Sequence, residues 1–133
     1  MSGEPVAIKQ LRSLGPTPYA VKPYAVKILE NEARREVQTL DRLSGCRNVI
    51  GLRAWLSDAA SSTHLIVMEA ADGGEVYSWL NSHAAGISEE QARSAFRQMV
   101  AGVGQMHGRG VAHRDLKLEN AGIELWAGLS KVG

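Results

Sequence analysis

His113-Arg114-Asp115-Leu116-Lys117-Leu118-Glu119-Asn120 is the stretch on which the reading of this chain turns. It gathers a carboxylate, a lysine, an arginine and a side-chain amide into one short polar run. The best-marked helical pattern in the chain leads into it. Ser88 with Gln91 three residues on is a capping-box signature. Ala92, Ala95, Phe96, Met99, Val100, Val103 and Met106 then recur at helical spacing as an apolar stripe, and Gly108 and Gly110 close it. A rigid helix therefore delivers the polar run. Taken by itself, the run also reads as a solvated surface loop after a helix.

Working back toward the N-terminus, Gly73-Gly74 breaks the chain before a short helix with Val76, Trp79 and Leu80 on one side. Upstream of that break, His64 to Met68 reads as a buried strand. Ile50, Leu52, Ala54 and Leu56 alternate with Gly51, Arg53 and Trp55 as a half-buried one. Leu29, Ala33, Val37, Leu40 and Leu43 recur at spacings of three and four, one face of a helix that Gly45 ends. Pro18-Tyr19-Ala20-Val21-Lys22 is repeated unchanged as Pro23-Tyr24-Ala25-Val26-Lys27. Two such short copies make no solenoid, and we read them as a local duplication in a loop or strand extension. Val6-Ala7-Ile8 opens a short strand. Beyond Asn120, Ile123 to Trp126 and Leu129 to Val132 pair as a hairpin across Ala127-Gly128. Strand, helix, two strands and then mostly helix make the class α+β.

Composition narrows the function classes. Apolar residues make up 44% of the 133 and charged residues 22%, as in an ordinary folded domain. With a formal charge of +1 and no basic stripe, neither nucleic acid nor a membrane surface is expected as partner. Cys46 is the single cysteine, which excludes an internal disulfide and a thiolate metal cluster and suits a reducing compartment, cytoplasmic or nuclear. The longest apolar stretch, Leu65 to Met68, falls far below the ~20 residues of a membrane span. The N-terminus shows no signal-peptide pattern. His64 and His83 read as surface residues without a second ligand at helical spacing, and Trp55, Trp79 and Trp126 as packing.

Phosphoryl transfer asks little covalent work of a protein: a base near the acceptor hydroxyl, a lysine on the phosphate and an oxygen ligand for the metal. The run at 113–120 supplies all three, and it resembles the catalytic loop of protein kinases, H-R-D-L-x-x-x-N. Five fixed positions match by chance in roughly one window in millions. The resemblance implies that Asp115 accepts the hydroxyl proton, Asn120 binds Mg2+, Lys117 steadies the γ-phosphate and Arg114 reads activation-loop phosphorylation. A lysine two residues after the aspartate is typical of the serine/threonine type. Ser2 to Lys9 is similar to the family's third strand and the turn before it, T-G-x-x-V-A-I-K, so Lys9 would hold the α- and β-phosphates and Ala7 would roof the adenine. Glu36, in a segment similar to the C-helix, would pair with that lysine. It follows Lys9 by 27 positions, and removing the ten duplicated residues 18–27 leaves 17, within the family's usual range. Lys22, 14 residues before Glu36, stays open as the alternative. Leu65 to Glu75 resembles the fifth strand and hinge. Met68 would be the gatekeeper, Glu69 and Ala71 would offer backbone groups to the base, and Glu75 a carboxylate to the ribose.

The resemblance thus implies a truncated two-lobed kinase fold: part of the N-lobe over 1–68, the hinge over 69–75 and part of the C-lobe over 76–133. It also implies ATP and Mg2+ as cofactors and a protein serine or threonine hydroxyl as acceptor. No glycine-rich loop precedes Ser2 and the chain stops before D-F-G, so the chain alone is expected to be inactive and loosely folded. A non-catalytic kinase-like binding module, or a fragment without function, is the alternative. Where the family carries two large aliphatic residues after the asparagine, this chain has Ala121 and Gly122. Either the adenine floor is thin or Ile123 substitutes.

Overall fold

The computed structural model describes residues 4–12, 23–124 and 129–132. Three antiparallel strands form the sheet: β1 (Val6–Arg12), β2 (Leu52–Asp58) and β3 (Thr63–Glu69), in the order β1-β3-β2. β3 takes the centre because it is the most apolar of the three, with His64 and Ile66 buried along it. Lys9 on one side and Trp55 on the other stand opposite Ile66, so all three share one face.

That face is not the one expected for β2. The pairing slips between Leu52 and Ala54, leaving a bulge at Arg53. One extra residue turns every later side chain to the opposite face. Trp55 therefore lies on the inner side under Arg34, whose guanidinium carbon is 5.5 Å from the indole centre. Leu56 is turned outward and is 56% exposed. Ile50 falls outside the strand altogether. His64, expected at the surface, is buried at 4% exposure with its ring 6.3 Å from that of Trp55. His83 is half-buried, its Nδ1 2.7 Å from the carbonyl of Trp79.

Helix α1 (Pro23–Arg42) lies across the inner face of the sheet. Its start corrects the reading of the duplication: the second copy, Pro23 to Lys27, forms the opening turns of the helix rather than a loop or strand extension. Proline suits a first helical position, where its fixed φ is already helical and no amide bond is lost. The first copy, with Lys22, lies outside the described residues. The expected face is the packed one, with Ala33 and Leu43 buried and Leu29, Val37 and Leu40 partly so. Gly45, at φ +78°, ends the segment in the left-handed region.

Helices α2 (Val76–Asn81) and α3 (Glu89–Gly108) follow. Val76 is buried, with Trp79 and Leu80 half-buried beside it. The capping box forms in both directions: the Gln91 amide donates to Ser88 Oγ at 3.1 Å, and the Ser88 amide to Gln91 Oε1 at 2.9 Å. α3 docks on the segment that follows α1, where Leu43, Val49, Met106 and Val111 make the core with Met99, Val103 and Cys46 around them. Gly102 permits this approach, since a β-carbon there would lie 2.4 Å from the Asn48 carbonyl oxygen. The apolar arc of α3 is wider than that contact covers. Phe96 (64% exposed) and Val100 join Leu116 and Leu118 along an open apolar groove of about 500 Å3.

A 3-10 turn at Leu118–Asn120 runs straight into β4 (Ala121–Glu124), which pairs with β5 (Leu129–Val132). The hairpin thus begins two residues earlier than its apolar pattern suggests; Trp126, Ala127 and Gly128 lie outside the described residues. Among the described residues, no helix is long and apolar enough to cross a membrane.

Candidate functional site

The polar run leaves α3 as a loop anchored by buried Val111 and closed by the 3-10 turn. Arg114 sits at φ +66°, a conformation rare for a residue with a β-carbon. The chain doubles back there, and Asn120 reaches Asp115: its Nδ2 donates to the Asp115 carbonyl at 2.9 Å and to carboxylate Oδ2 at 3.0 Å. Lys117 Nζ stands 3.3 Å from the same Oδ2. The Asp115 amide donates to His113 Nδ1 at 3.2 Å. The Lys117 ammonium, and after it the Asn120 amide, hold the Asp115 carboxyl below its ordinary value. The group is exposed, so charge and hydrogen bonding set this shift rather than burial.

Across from the loop stands α1. Lys9 Nζ, from the inner face of β1, bonds both oxygens of Glu36, at 2.9 and 2.7 Å. A cleft of about 500 Å3 lies between these groups, with Lys9, Arg35 and Glu36 on one wall and Arg114, Asp115 and Asn120 on the other. A second cavity of about 340 Å3 meets it at Asn120 and is lined by Ala7, Met68, Glu69, Ala71, Glu75, Ala121 and Gly122. Segments far apart in the chain thus share one opening, because β1 and α1 pack on one side of it and α3 aims the loop at the other.

A model of the protein kinase domain matches residues 2–125. The chain belongs to the protein kinase family. It is 41% identical over 119 residues to CBL-interacting protein kinase 16 of Oryza sativa subsp. japonica, covering 90% of this chain and 24% of that protein. It is 36% identical over 116 residues to testis-specific serine/threonine-protein kinase 3 of Homo sapiens, covering 87% of this chain and 39% of the relative. MAP kinase-activated protein kinase 2 of Drosophila melanogaster is 36% identical over 102 residues, 73% of this chain and 28% of its own length. The chain therefore spans well under half the length of these relatives.

Within this kinase chain the residues assigned site roles from the sequence, from Ala7 and Lys9 to Lys117 and Asn120, gather around these two cavities, while Lys22 lies outside the described residues. The residues at 69–74 carry bonds of their own. The Glu69 amide donates to the Gly51 carbonyl at 2.9 Å, and the Gly74 amide to the Ala71 carbonyl at 3.1 Å. The Glu69 carboxylate turns back to accept from the Gly51 amide at 3.0 Å and to pair with Arg53 at 3.3 Å. Sequence reasoning missed that brace, because Arg53 reaches Glu69 only through the bulge. It also missed a clamp between Arg42 and Arg109. Arg42 Nη2 donates to the Arg109 carbonyl at 2.7 Å, while Arg109 Nη1 donates to the carbonyls of Arg42 at 2.7 Å and Ser44 at 2.6 Å. Each arginine satisfies carbonyls at the other's helix end, tying the end of α1 to the start of the polar loop. No spacing rule announces a pair 67 residues apart.

For Mg2+, the chemistry of the donors is the test. The bonds from the Asn120 side chain to Asp115 engage its nitrogen, so its amide oxygen is the ligand atom on offer. Among the described residues no group of three or more His, Cys, Asp or Glu could cage a metal ion. One protein oxygen supplemented by substrate phosphates is the usual way Mg2+ is held, and the residues present fit it.

Proposed function

We propose that this chain forms the nucleotide pocket and catalytic loop of an ATP-dependent protein serine/threonine kinase, which moves the γ-phosphoryl of Mg-ATP to a protein hydroxyl. One observation carries the reading: the Lys9–Glu36 pair and the Asp115–Lys117–Asn120 network line opposite walls of the same cleft. We assign residues 1–68 to the N-lobe, 69–75 to the hinge and 76–133 to the C-lobe.

In this reading the base enters the smaller cavity, roofed by Ala7 and backed by Met68. The Glu69 carbonyl and the Ala71 amide face its edge, and Glu75 takes the ribose. Lys9, oriented by Glu36, holds the α- and β-phosphates. Asn120 supplies an oxygen to Mg2+, which neutralises the phosphates when bound. Asp115 orients the acceptor hydroxyl. Its oxygen attacks the γ-phosphorus, the bond to the β–γ bridging oxygen breaks, ADP leaves, and the hydroxyl proton passes to the Asp115 carboxylate. The lowered pKa of Asp115 keeps that carboxylate ionised, so it takes the proton late, once the oxygen has become acidic through bonding to phosphorus. Lys117 steadies the transferred group, and Arg114 is the residue that reads activation-loop phosphorylation. The lone Cys46 suits a cytoplasmic or nuclear setting.

The test is transfer of γ-phosphate from Mg-ATP to a hydroxyl-bearing protein acceptor, with Asp115→Asn beside the natural sequence. Loss in the variant with nucleotide binding intact supports the assignment. Equal, measurable transfer by both sinks it, whereas no transfer by either is the inactivity expected of this chain alone.

A further inference from the structure

The floor of the smaller cavity departs from the family pattern that the loop resembles. Gly122 stands where a large aliphatic residue is expected, and the structure shows what occupies the room. A β-carbon at Gly122 would lie 2.4 Å from the β-carbon of Ala71, closer than two such atoms approach. The Gly74 carbonyl oxygen is 3.8 Å from the same point, and Glu75 forms an isolated antiparallel bridge to Gly122. Residues 71–75 are therefore seated directly on β4. Gly122 has no left-handed φ, so its backbone accepts any L residue. Contact with Ala71 alone requires glycine.

We propose that Ala71 and Gly122 act as a gauge for the nucleotide base, their paired smallness setting the width of the cavity between hinge and floor. The inference rests on assigning that cavity to the base. A side chain at 122 lifts the hinge off β4, moving the Glu69 and Ala71 backbone groups and the Glu75 carboxylate together away from the nucleotide. Ala121, next along the strand, is buried at 4% between this cavity and the apolar groove beneath α3, and its single methyl adds little to the floor.

A double-variant cycle tests this on the purified protein, using Gly122→Ala, Ala71→Gly and both together. Each is read by thermal melting without nucleotide and by titration with Mg-ATP. Alone, Gly122→Ala lowers the melting temperature by roughly 3–10 °C, the usual scale of overpacking, and weakens Mg-ATP about fivefold. In the Ala71→Gly background the same change costs less than half as much in both readouts. Equal cost in the two backgrounds overturns the gauge. Should Gly122→Ala alone fail to fold, the double variant must still fold and bind Mg-ATP, and its failure overturns the proposal too. Coupling in melting, with no variant and no natural chain binding Mg-ATP, overturns the assignment of the cavity to a nucleotide while leaving the contact itself established.

Discussion

The polar loop at 113–120 and the junction beneath it are held by opposite physics. Asp115, Lys117 and Asn120 are polar, exposed or half-exposed, and ordered by hydrogen bonds and a left-handed turn at Arg114. Leu43, Val49, Met106 and Val111, a few residues away, are apolar, buried and close-packed, and Gly102 lies against the Asn48 backbone. Exposed ion pairs contribute little to stability, whereas buried apolar side chains contribute much. The loop therefore borrows its rigidity from the junction. It can be altered chemically at little structural cost, while changes in the junction cost fold and function together.

That contrast can be broken in order of effect. Asp115→Asn should reduce phosphoryl transfer by about 10²–10⁴-fold and shift unfolding by no more than about 0.5 kcal/mol; a large loss in a chemical denaturation curve would show that the loop carries structure after all. Met106→Ala removes a side chain from the middle of the core, and its unfolding free energy should fall by about 2–5 kcal/mol. A change under about 1 kcal/mol there would erase the contrast. Gly102→Ala must push against the Asn48 carbonyl and should cost about 1–3 kcal/mol, measured in the same way. Smallest is the Asp115 titration. A carboxyl held low when folded contributes stability at neutral pH and loses it only as pH falls through that lowered value. Lys117→Met should move it back toward the ordinary carboxylate range, read from the Asp115 side-chain carbon signal in an NMR titration. No movement would mean that Lys117 is not its main partner.

Much of the local structure was legible because it follows from nearest neighbours along the chain. The Ser88–Gln91 box, the apolar face from Leu29 to Leu43 and the Gly45 stop each need only a few consecutive residues, and each is found in place. The failures share a cause. The bulge at Arg53 turned Leu56 outward and Trp55 inward, because alternation is blind to one extra residue in a ladder. His64 is buried because β3 is central, a fact of strand order rather than of composition. The second Pro-Tyr-Ala-Val-Lys starts a helix that these five residues do not announce, since tyrosine and valine suit a strand as readily.

The chain by itself determined the chemical identities: an aspartate, a lysine and an asparagine at loop spacing, and a lysine and a glutamate 27 positions apart. Phosphoryl transfer requires those side chains, so the motif announces them. Only the tertiary structure decided that Lys9 reaches Glu36, how the arginines at the ends of α1 and α3 grip each other's carbonyls, and that Gly122 leaves its space to Ala71. Those are distances between segments remote in the chain. Packing sets such distances, and no local pattern of residues encodes them.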